Sequence, residues 1–274
     1  AACLAGGFDL EVGLRLVAAR GRLTQSLPLD GAMLALAADE DRLKELITSY
    51  AGSVSIAAVN APRRVVLSGR RVDLEQLLGL LQKDGIHGQF LSVSHAFHSP
   101  LLDPILEPFH DLASSYEYSK PNIPLISNLD GQVLQSAPDA DYWTRHLRDT
   151  VRFQDGIESL ADTCRVFLEI GPKPTLASLG AQTLGDLQCR WLASLRPGEE
   201  DWSVLLGSFS DLYRAGAMPD WESFYRGPNR EQIYDLPSYP FQRSHFGMPP
   251  RSGVSDSGTA VLEALGKIHE ASHD

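Results

Sequence analysis

From Leu10 to Leu23 apolar residues recur at helical spacing, with Leu10, Leu14, Val17 and Ala18 on one face and Asp9 placed as N-cap. Beyond this helix the period changes. Ala32-Met33-Leu34-Ala35-Leu36 reads as a strand, Glu40 to Tyr50 as a helix, and Val54 to Val59 as a strand ending in a turn at Asn60-Ala61-Pro62. Arg64 to Ser68 is a further strand closed by Gly69, Val72 to Asp84 a helix stopping before Gly85, and His87 to Val93 a last strand. The order β-α-β-β-α-β is the split-βαβ, or ferredoxin-like, pattern. It predicts a small subdomain over residues 32–93, inserted between Gly31 and Ser94.

The pattern then passes through Ser92-Val93-Ser94-His95-Ala96-Phe97-His98-Ser99-Pro100 into a predicted helix from Leu101 to Tyr116, with Pro100 in its first turn. Ile123 to Asn128 reads as a short strand before a turn at Asp130-Gly131, and Asp141 to Leu147 and Asp155 to Asp162 as helices. Arg165 to Ile170 is continuously apolar enough to predict a buried strand. The tight turn Gly171-Pro172-Lys173-Pro174 leads to a helix from Thr175, the strand–turn–helix logic of an α/β sheet. Residues 1–31 and 94–195 are therefore expected to form the larger part of an α/β fold. After Trp191 to Leu195 comes a helix from Ser203 to Ala215. An aromatic, proline-rich strip follows, through Pro219-Asp220-Trp221 to Leu236–Arg243. Such a strip lies over another surface rather than building its own core, so 196–248 is expected to be a linker. Residues 249–274 are expected to be a mobile tail or inter-domain linker, with a short helix from Thr259 to His269.

Composition removes several classes of function. The chain has 274 residues and a net charge of −11, which disfavours a nucleic-acid partner. Cys3, Cys164 and Cys189 are too widely spaced for a disulfide framework or a zinc site, and a reducing, cytoplasmic setting fits them. No apolar run reaches membrane-spanning length, so no membrane partner is expected. Ala1 to Gly6 reads as the last turns of a helix, with neither an initiator methionine nor a signal-peptide n-region. The chain is expected to be cut from a longer polypeptide.

Candidate chemistry centres on His95 and His98. A histidine on a turn between strand and helix can face a cleft and act as a general base. The plainer readings are a surface or satisfied core residue, or a pair of metal ligands; the last needs a third ligand, and no HExxH or CxxC is present. Arg20 and Arg22 near the end of the first helix suit the helix dipole. Alternatively, one faces inward to grip a carboxylate through two parallel hydrogen bonds.

Four stretches stand in order: Arg20-Gly21-Arg22-Leu23-Thr24-Gln25, His95-Ala96-Phe97-His98-Ser99, Glu169-Ile170-Gly171-Pro172-Lys173-Pro174-Thr175-Leu176 and Tyr239-Pro240-Phe241-Gln242-Arg243. Together they resemble the acyltransferase domain of a modular type I polyketide synthase, a relative of the malonyl-CoA:acyl carrier protein transacylases. The resemblance covers residues 1 to about 246. It implies an α/β-hydrolase-like large subdomain with an inserted ferredoxin-like one. It also implies ping-pong transfer of malonyl from malonyl-CoA to the phosphopantetheine thiol of an acyl carrier protein, without a metal or redox cofactor. The family's nucleophile is the serine of a Gly-His-Ser-x-Gly elbow. No such motif occurs here, and the resemblance places it upstream of Ala1.

Further implications follow residue by residue. His98 is the base, and His146 matches a position whose backbone carbonyl orients it. Arg20 pairs with the extender carboxylate, while Phe97, His95 and Gln25 belong to the substrate contacts. His-Ala-Phe-His goes with malonyl, and the bulk of Phe97 opposes an α-methyl group. The strip ending in Tyr-Pro-Phe-Gln-Arg resembles the linker that reaches the neighbouring ketosynthase, with Ser244-His245-Phe246 in place of the usual basic-aromatic ending. An acidic chain meeting an acidic carrier predicts a local basic patch at Arg63, Arg64, Arg70 and Arg71; a solvated strand edge is the plainer reading. Asp256-Ser257 is similar to a carrier attachment site but lacks the residues a carrier domain needs before it. Two competing readings are an α/β-hydrolase esterase or thioesterase, for which Arg20 has no use, and a non-catalytic scaffolding piece.

Overall fold

The computed structural model describes residues 1–226, 235 and 237–241. The chain divides into two compact units, Ala1–Pro219 and Asp220–Asp274.

The first unit opens with α1 (Leu10–Gln25), capped by the Asp9 carboxylate, which accepts the Val12 N–H at 2.7 Å. A βαββαβ run follows: β1 (Gly31–Leu36), α2 (Glu40–Ile47), β2 (Val54–Ala61), β3 (Arg64–Arg70), α3 (Arg71–Lys83) and β4 (Gly88–Phe90). The four strands pair antiparallel in the order β2-β3-β1-β4, the ferredoxin-like arrangement expected from the sequence. Alternation sorts the side chains of each strand to two faces. Leu34, Leu36, Val54, Ile56 and Leu67 pack under Leu43, Leu74, Leu77 and Leu81 of the two helices. On the other face Met33, Ala57 and Val66 pack with Phe97. Both faces are covered, and that is why β1 reads as an unbroken apolar run. Gly69 permits the tight β2–β3 approach, because a Cβ there would fall on the Ser53 carbonyl. The last strand is shorter than predicted: Leu91 and Val93 lie partly exposed beyond it.

The remainder of this unit holds a 3₁₀ turn (Pro100–Ile105), α4 (Leu106–Ala113), α5 (Ala140–Arg148), α6 (Phe153–Ser159), β5 (Val166–Glu169), α7 (Thr175–Leu184), β6 (Arg190–Ala193) and α8 (Asp201–Arg214). Leu16, Leu102, Ile105, Phe109, Ala113 and Leu147 form a second core between α1, α4 and α5. β5 and β6 pair in parallel, with Phe167 stacked on Trp191 at 4.3 Å. α8 packs on this pair through Val204, and its Ser208 hydroxyl donates to the Ala193 carbonyl at 2.7 Å. The first part of the expected linker is thus built onto the first unit.

Four sequence expectations are corrected. The predicted helix from Leu101 to Tyr116 is split, because Pro104 has no N–H to continue an α-helical ladder and the first turn closes as 3₁₀. Ile123 to Asn128 makes only an isolated bridge, Ile126 to Val133, with Pro124 removing a ladder donor. β5 is not fully buried: among the described residues it pairs only with β6, and Leu168 and Ile170 are exposed. In α1 the residues facing the core are Leu16, Ala19 and Thr24, while Leu10, Leu14 and Val17 are exposed. Spacing defines a helical face but not the element that covers it.

In the second unit, Asp220 caps the short helix α9 (Trp221–Phe224), its carboxylate accepting the Ser223 N–H at 2.9 Å. Tyr239 and Phe241 meet edge to face at 5.7 Å. The helix expected from Thr259, Ser257, the Ser244-His245-Phe246 ending and the tail 249–274 lie outside the described residues, as do Leu236, Gln242 and Arg243 of the aromatic strip. No helix among the described residues is long and apolar enough to cross a membrane.

Candidate active site

The turn between β4 and the 3₁₀ segment is tied by its own polar groups. The Ser99 hydroxyl donates to the Ala96 carbonyl at 2.7 Å and accepts the Leu101 N–H at 3.3 Å. His98 lies within this turn at φ 57°, a left-handed conformation rare for a residue with a Cβ. Its carbonyl accepts the Ser55 hydroxyl from β2 at 2.7 Å, and its Nδ1 lies 2.9 Å from the Asp149 carbonyl. A carbonyl can only accept, so Nδ1 carries the proton and Nε2 presents a lone pair. The ring is half-buried, with part of its surface open.

This corrects the expectation for His146. The orienting carbonyl belongs to Asp149, the residue after α5, where the helix has ended and its last carbonyls lack intrahelical donors. His146 contributes its side chain instead: its ring lies 6.4 Å from that of His98 and its Nε2 3.5 Å from the Asn128 amide.

Arg20 projects from α1 to the same place. Its guanidinium carbon lies 5.8 Å from the Phe97 ring centre, and its charge is felt at both His98 and His146. Burial lowers the Arg20 pKa, and among the described residues no carboxylate pairs with it. Burial, then the charges of Arg20 and His146, push His98 down to about 4, against an opposing pull from the Asp149 carbonyl. His146 is lowered by burial first and Arg20 second. Arg20 and His146 also line a cleft of about 320 Å³ whose walls include Phe8, Phe109 and Trp143. The arrangement offers a neutral imidazole with a free nitrogen beside a partly desolvated cation that has no counter-ion among the described residues.

The other expected site residues are placed differently. Phe97 joins the cluster, wedged between the sheet and Arg20. His95 is buried, with Nδ1 2.9 Å from the Ser94 hydroxyl and its ring 6.4 Å from Phe97, and it lines a different cavity, with Leu27, Pro28 and Pro100. The two histidines therefore do not act as one ligand pair, and no group of three metal-binding side chains occurs among the described residues. Gln25 is exposed at the end of α1, about 140° round the helix from Arg20. Glu169 of the third stretch caps α7 by accepting the Ala177 N–H at 2.7 Å.

The basic patch does not form as expected. Arg63 and Arg64 sit at one end of β3 and Arg70 and Arg71 at the other, separated by about 20 Å of strand. Arg63 faces Asp39 and Arg71 faces Glu75. Asp149, Ser55, Thr150 and Asn128 were not singled out from the sequence. Backbone acceptors and lone hydroxyls have no motif, and only the predicted end of α5 marked where free carbonyls would appear.

The family model for the acyl transferase domain matches residues 1–219. The chain is 35% identical over 272 residues to the spectinabilin polyketide synthase system protein NorB of Streptomyces orinoci, covering 97% of this chain and 12% of that protein. It is 37% identical to the phenolphthiocerol synthesis polyketide synthase type I Pks15/1 of Mycobacterium marinum, covering 98% and 13%. Among solved structures, the acyltransferase domain from the second module of the salinomycin polyketide synthase superposes with a TM-score of 0.83 at 39% identity, over 88% of this chain and 57% of that one. The malonyl CoA-acyl carrier protein transacylase of Clostridium perfringens superposes with a TM-score of 0.70 at 25% identity, over 78% and 68%. The chain spans about an eighth of these synthases and somewhat over half of the salinomycin domain. It belongs to the acyl transferase domain family, of the kind carried by modular type I polyketide synthases.

Proposed function

We propose that this chain supplies the base and the carboxylate grip of an acyltransferase that moves a malonyl unit from malonyl-CoA to the phosphopantetheine thiol of an acyl carrier protein. The observation that carries this reading is Arg20: a largely buried guanidinium, without a carboxylate partner among the described residues, close enough to His98 to depress its pKa. A cation so placed favours a ligand bearing a negative tail, and a guanidinium can hold a carboxylate by two parallel bonds. A simple ester pocket has no use for it, so the esterase reading finds no support.

In the proposed chemistry a serine from a Gly-His-Ser-x-Gly segment N-terminal to Ala1 attacks the thioester carbonyl as its proton passes to Nε2 of His98. The C–S bond breaks, and the CoA sulfur leaves with that proton. In the second half the carrier's thiol gives its proton to Nε2 and attacks the serine ester. The serine oxygen then leaves and takes the proton back. The depressed pKa keeps His98 neutral before attack and makes its protonated form a strong donor to the departing group. Phe97, held against Met33 and Val66, limits room beside Arg20 and favours malonyl over methylmalonyl. Carrier and ketosynthase partners, and a cytoplasmic setting, are part of the same reading. Gln25 and His95 are assigned no direct contact with the acyl group.

The test is mass spectrometry of acyl transfer from malonyl-CoA in a polypeptide that joins this chain to its serine elbow. A malonyl adduct that moves to carrier protein, and that Arg20→Ala reduces about a hundredfold, is the expected result. Undiminished loading in Arg20→Ala, or loading of acetyl-CoA equal to that of malonyl-CoA, would refute it.

A further inference from the structure

The contact between His98 Nδ1 and the Asp149 carbonyl joins two segments that are 51 residues apart, and neither end is held by its own element alone. His98 is in a left-handed conformation, which costs a residue with a Cβ about 1 kcal/mol or more. Asp149 lies past the end of α5, in extended chain. Strand β2 grips His98 directly and, on the acceptor side, the two residues that follow Asp149. The Ser55 hydroxyl donates to the His98 carbonyl at 2.7 Å. The Ile56 carbonyl accepts the Thr150 hydroxyl at 2.6 Å. The Ala57 carbonyl accepts the Val151 N–H at 2.8 Å, and the Val59 N–H donates to the Val151 carbonyl at 2.9 Å. A register shift between Ile56 and Ala58 makes Ala57 the extra residue of a bulge, which turns its carbonyl away from β3 and toward Val151. Strand β2, through the Ser55 side chain and the backbone of its outer edge, therefore sets the distance between the imidazole and its acceptor.

We propose that Ser55 is a positioning residue: by bonding the His98 carbonyl it holds residue 98 left-handed, keeps Nδ1–H on the Asp149 carbonyl, and so leaves Nε2 as the free base. The inference rests on His98 being that base, but its test does not. Thr150 has the matching role on the acceptor side. The inserted ferredoxin-like sheet, which contributes no reacting group in this reading, thereby governs the tautomer of the imidazole.

The test is long-range ¹H–¹⁵N correlation on the 274-residue chain, with the His98 signals identified against His98→Gln. In the wild type, near neutral pH, His98 is expected as the single Nδ1–H tautomer. In Ser55→Ala the two tautomers should mix, and the Nδ1 proton should exchange about five to ten times faster, the worth of one hydrogen bond. Amide exchange at Leu34 and Leu67, in the helix-covered core, should not change. Ser55→Thr, which keeps the hydroxyl, should restore the wild-type spectrum. Should alanine prevent folding, Ser55→Cys, close in size and a weak donor, takes its place with the same expected signature. A wild-type tautomer and exchange rate in the alanine or cysteine variant would overturn the proposal. So would loss of protection at Leu34 and Leu67 equal to that at His98, since Ser55 would then be merely structural. Transfer activity surviving His98→Ala would sink the base assignment while leaving the tautomer result standing.

Discussion

The carbonyl of Asp149, and not that of His146, lies 2.9 Å from Nδ1 of His98. The helix that carries His146 ends at Arg148, just before Asp149, so the free acceptor appears only after its last turn. Because the acceptor is backbone, the Asp149 carboxylate is dispensable for orientation. Asp149→Asn should leave the tautomer of His98 unchanged and move its pKa slightly down, since the carboxylate's charge pulls it up. Its exposed pairing with Arg145 should matter by less than about 1 kcal/mol in urea unfolding. Loss of the tautomer in Asp149→Asn would show that the side chain, not the chain direction, sets the imidazole.

Removing a positive neighbour should do the opposite. His146→Ala and Arg20→Gln each delete a charge that depresses His98, so each should raise its pKa toward the ordinary value; His98 would remain below that value because burial is the largest cause. Carbon-detected titration of the His98 ring measures this directly. A fall in either variant would contradict the geometry.

The pH dependence of stability follows with a definite sign. A histidine whose folded pKa lies below its unfolded value leaves the native state binding fewer protons, so stability is full above the unfolded pKa and is lost as pH falls through the folded one. For His98 that window runs from 6.5 down to about 4, and His146 acts in the same direction. The urea midpoint should therefore fall as pH drops through this range, and the fall should be shallower in His98→Gln. An equal slope in the variant would mean that His98 titrates normally.

Phe97 carries a prediction about selectivity. Phe97→Ser in an acyltransferase carrying these residues should raise methylmalonyl relative to malonyl transfer by about tenfold or more, the worth of one methyl group in a pocket. Its contacts with Met33, Ala57 and Val66 mean a cost of about 1–3 kcal/mol in stability as well. Competition between the two thioesters, read by mass, gives the ratio, and an unchanged ratio would remove Phe97 from the extender pocket.

The small sheet was legible because its strands and helices differ in period and most of its turns carry Asn, Pro or Gly, so local and global signals agreed. The site was legible in part. His98 stood out through the turn and the proline after it, while Arg20 pointed inward by resemblance rather than by pattern. The apolar face of α1 was misassigned because Leu10, Leu14 and Val17 are as well spaced as the buried Leu16 and Ala19. Pro104 was the available signal for the break in the predicted helix that the apolar spacing overrode, and the five residues of strand between Arg64 and Arg70 were enough to divide the basic patch. The role of Asp149 had no such trace: a main-chain oxygen 51 residues from its partner is fixed by the path of Thr150 and Val151 along β2, which only the fold reveals.

The most direct measurement of whether Arg20 and His98 serve one carboxylate-bearing thioester is the pKa of His98 with and without saturating malonyl-CoA. A carboxylate seated on Arg20 cancels the charge that depresses the imidazole, so the pKa should climb from about 4 on binding. It should climb less or not at all with acetyl-CoA, and the difference should vanish in Arg20→Gln. A His98 pKa that ignores bound malonyl-CoA, or responds equally to acetyl-CoA, would contradict the account.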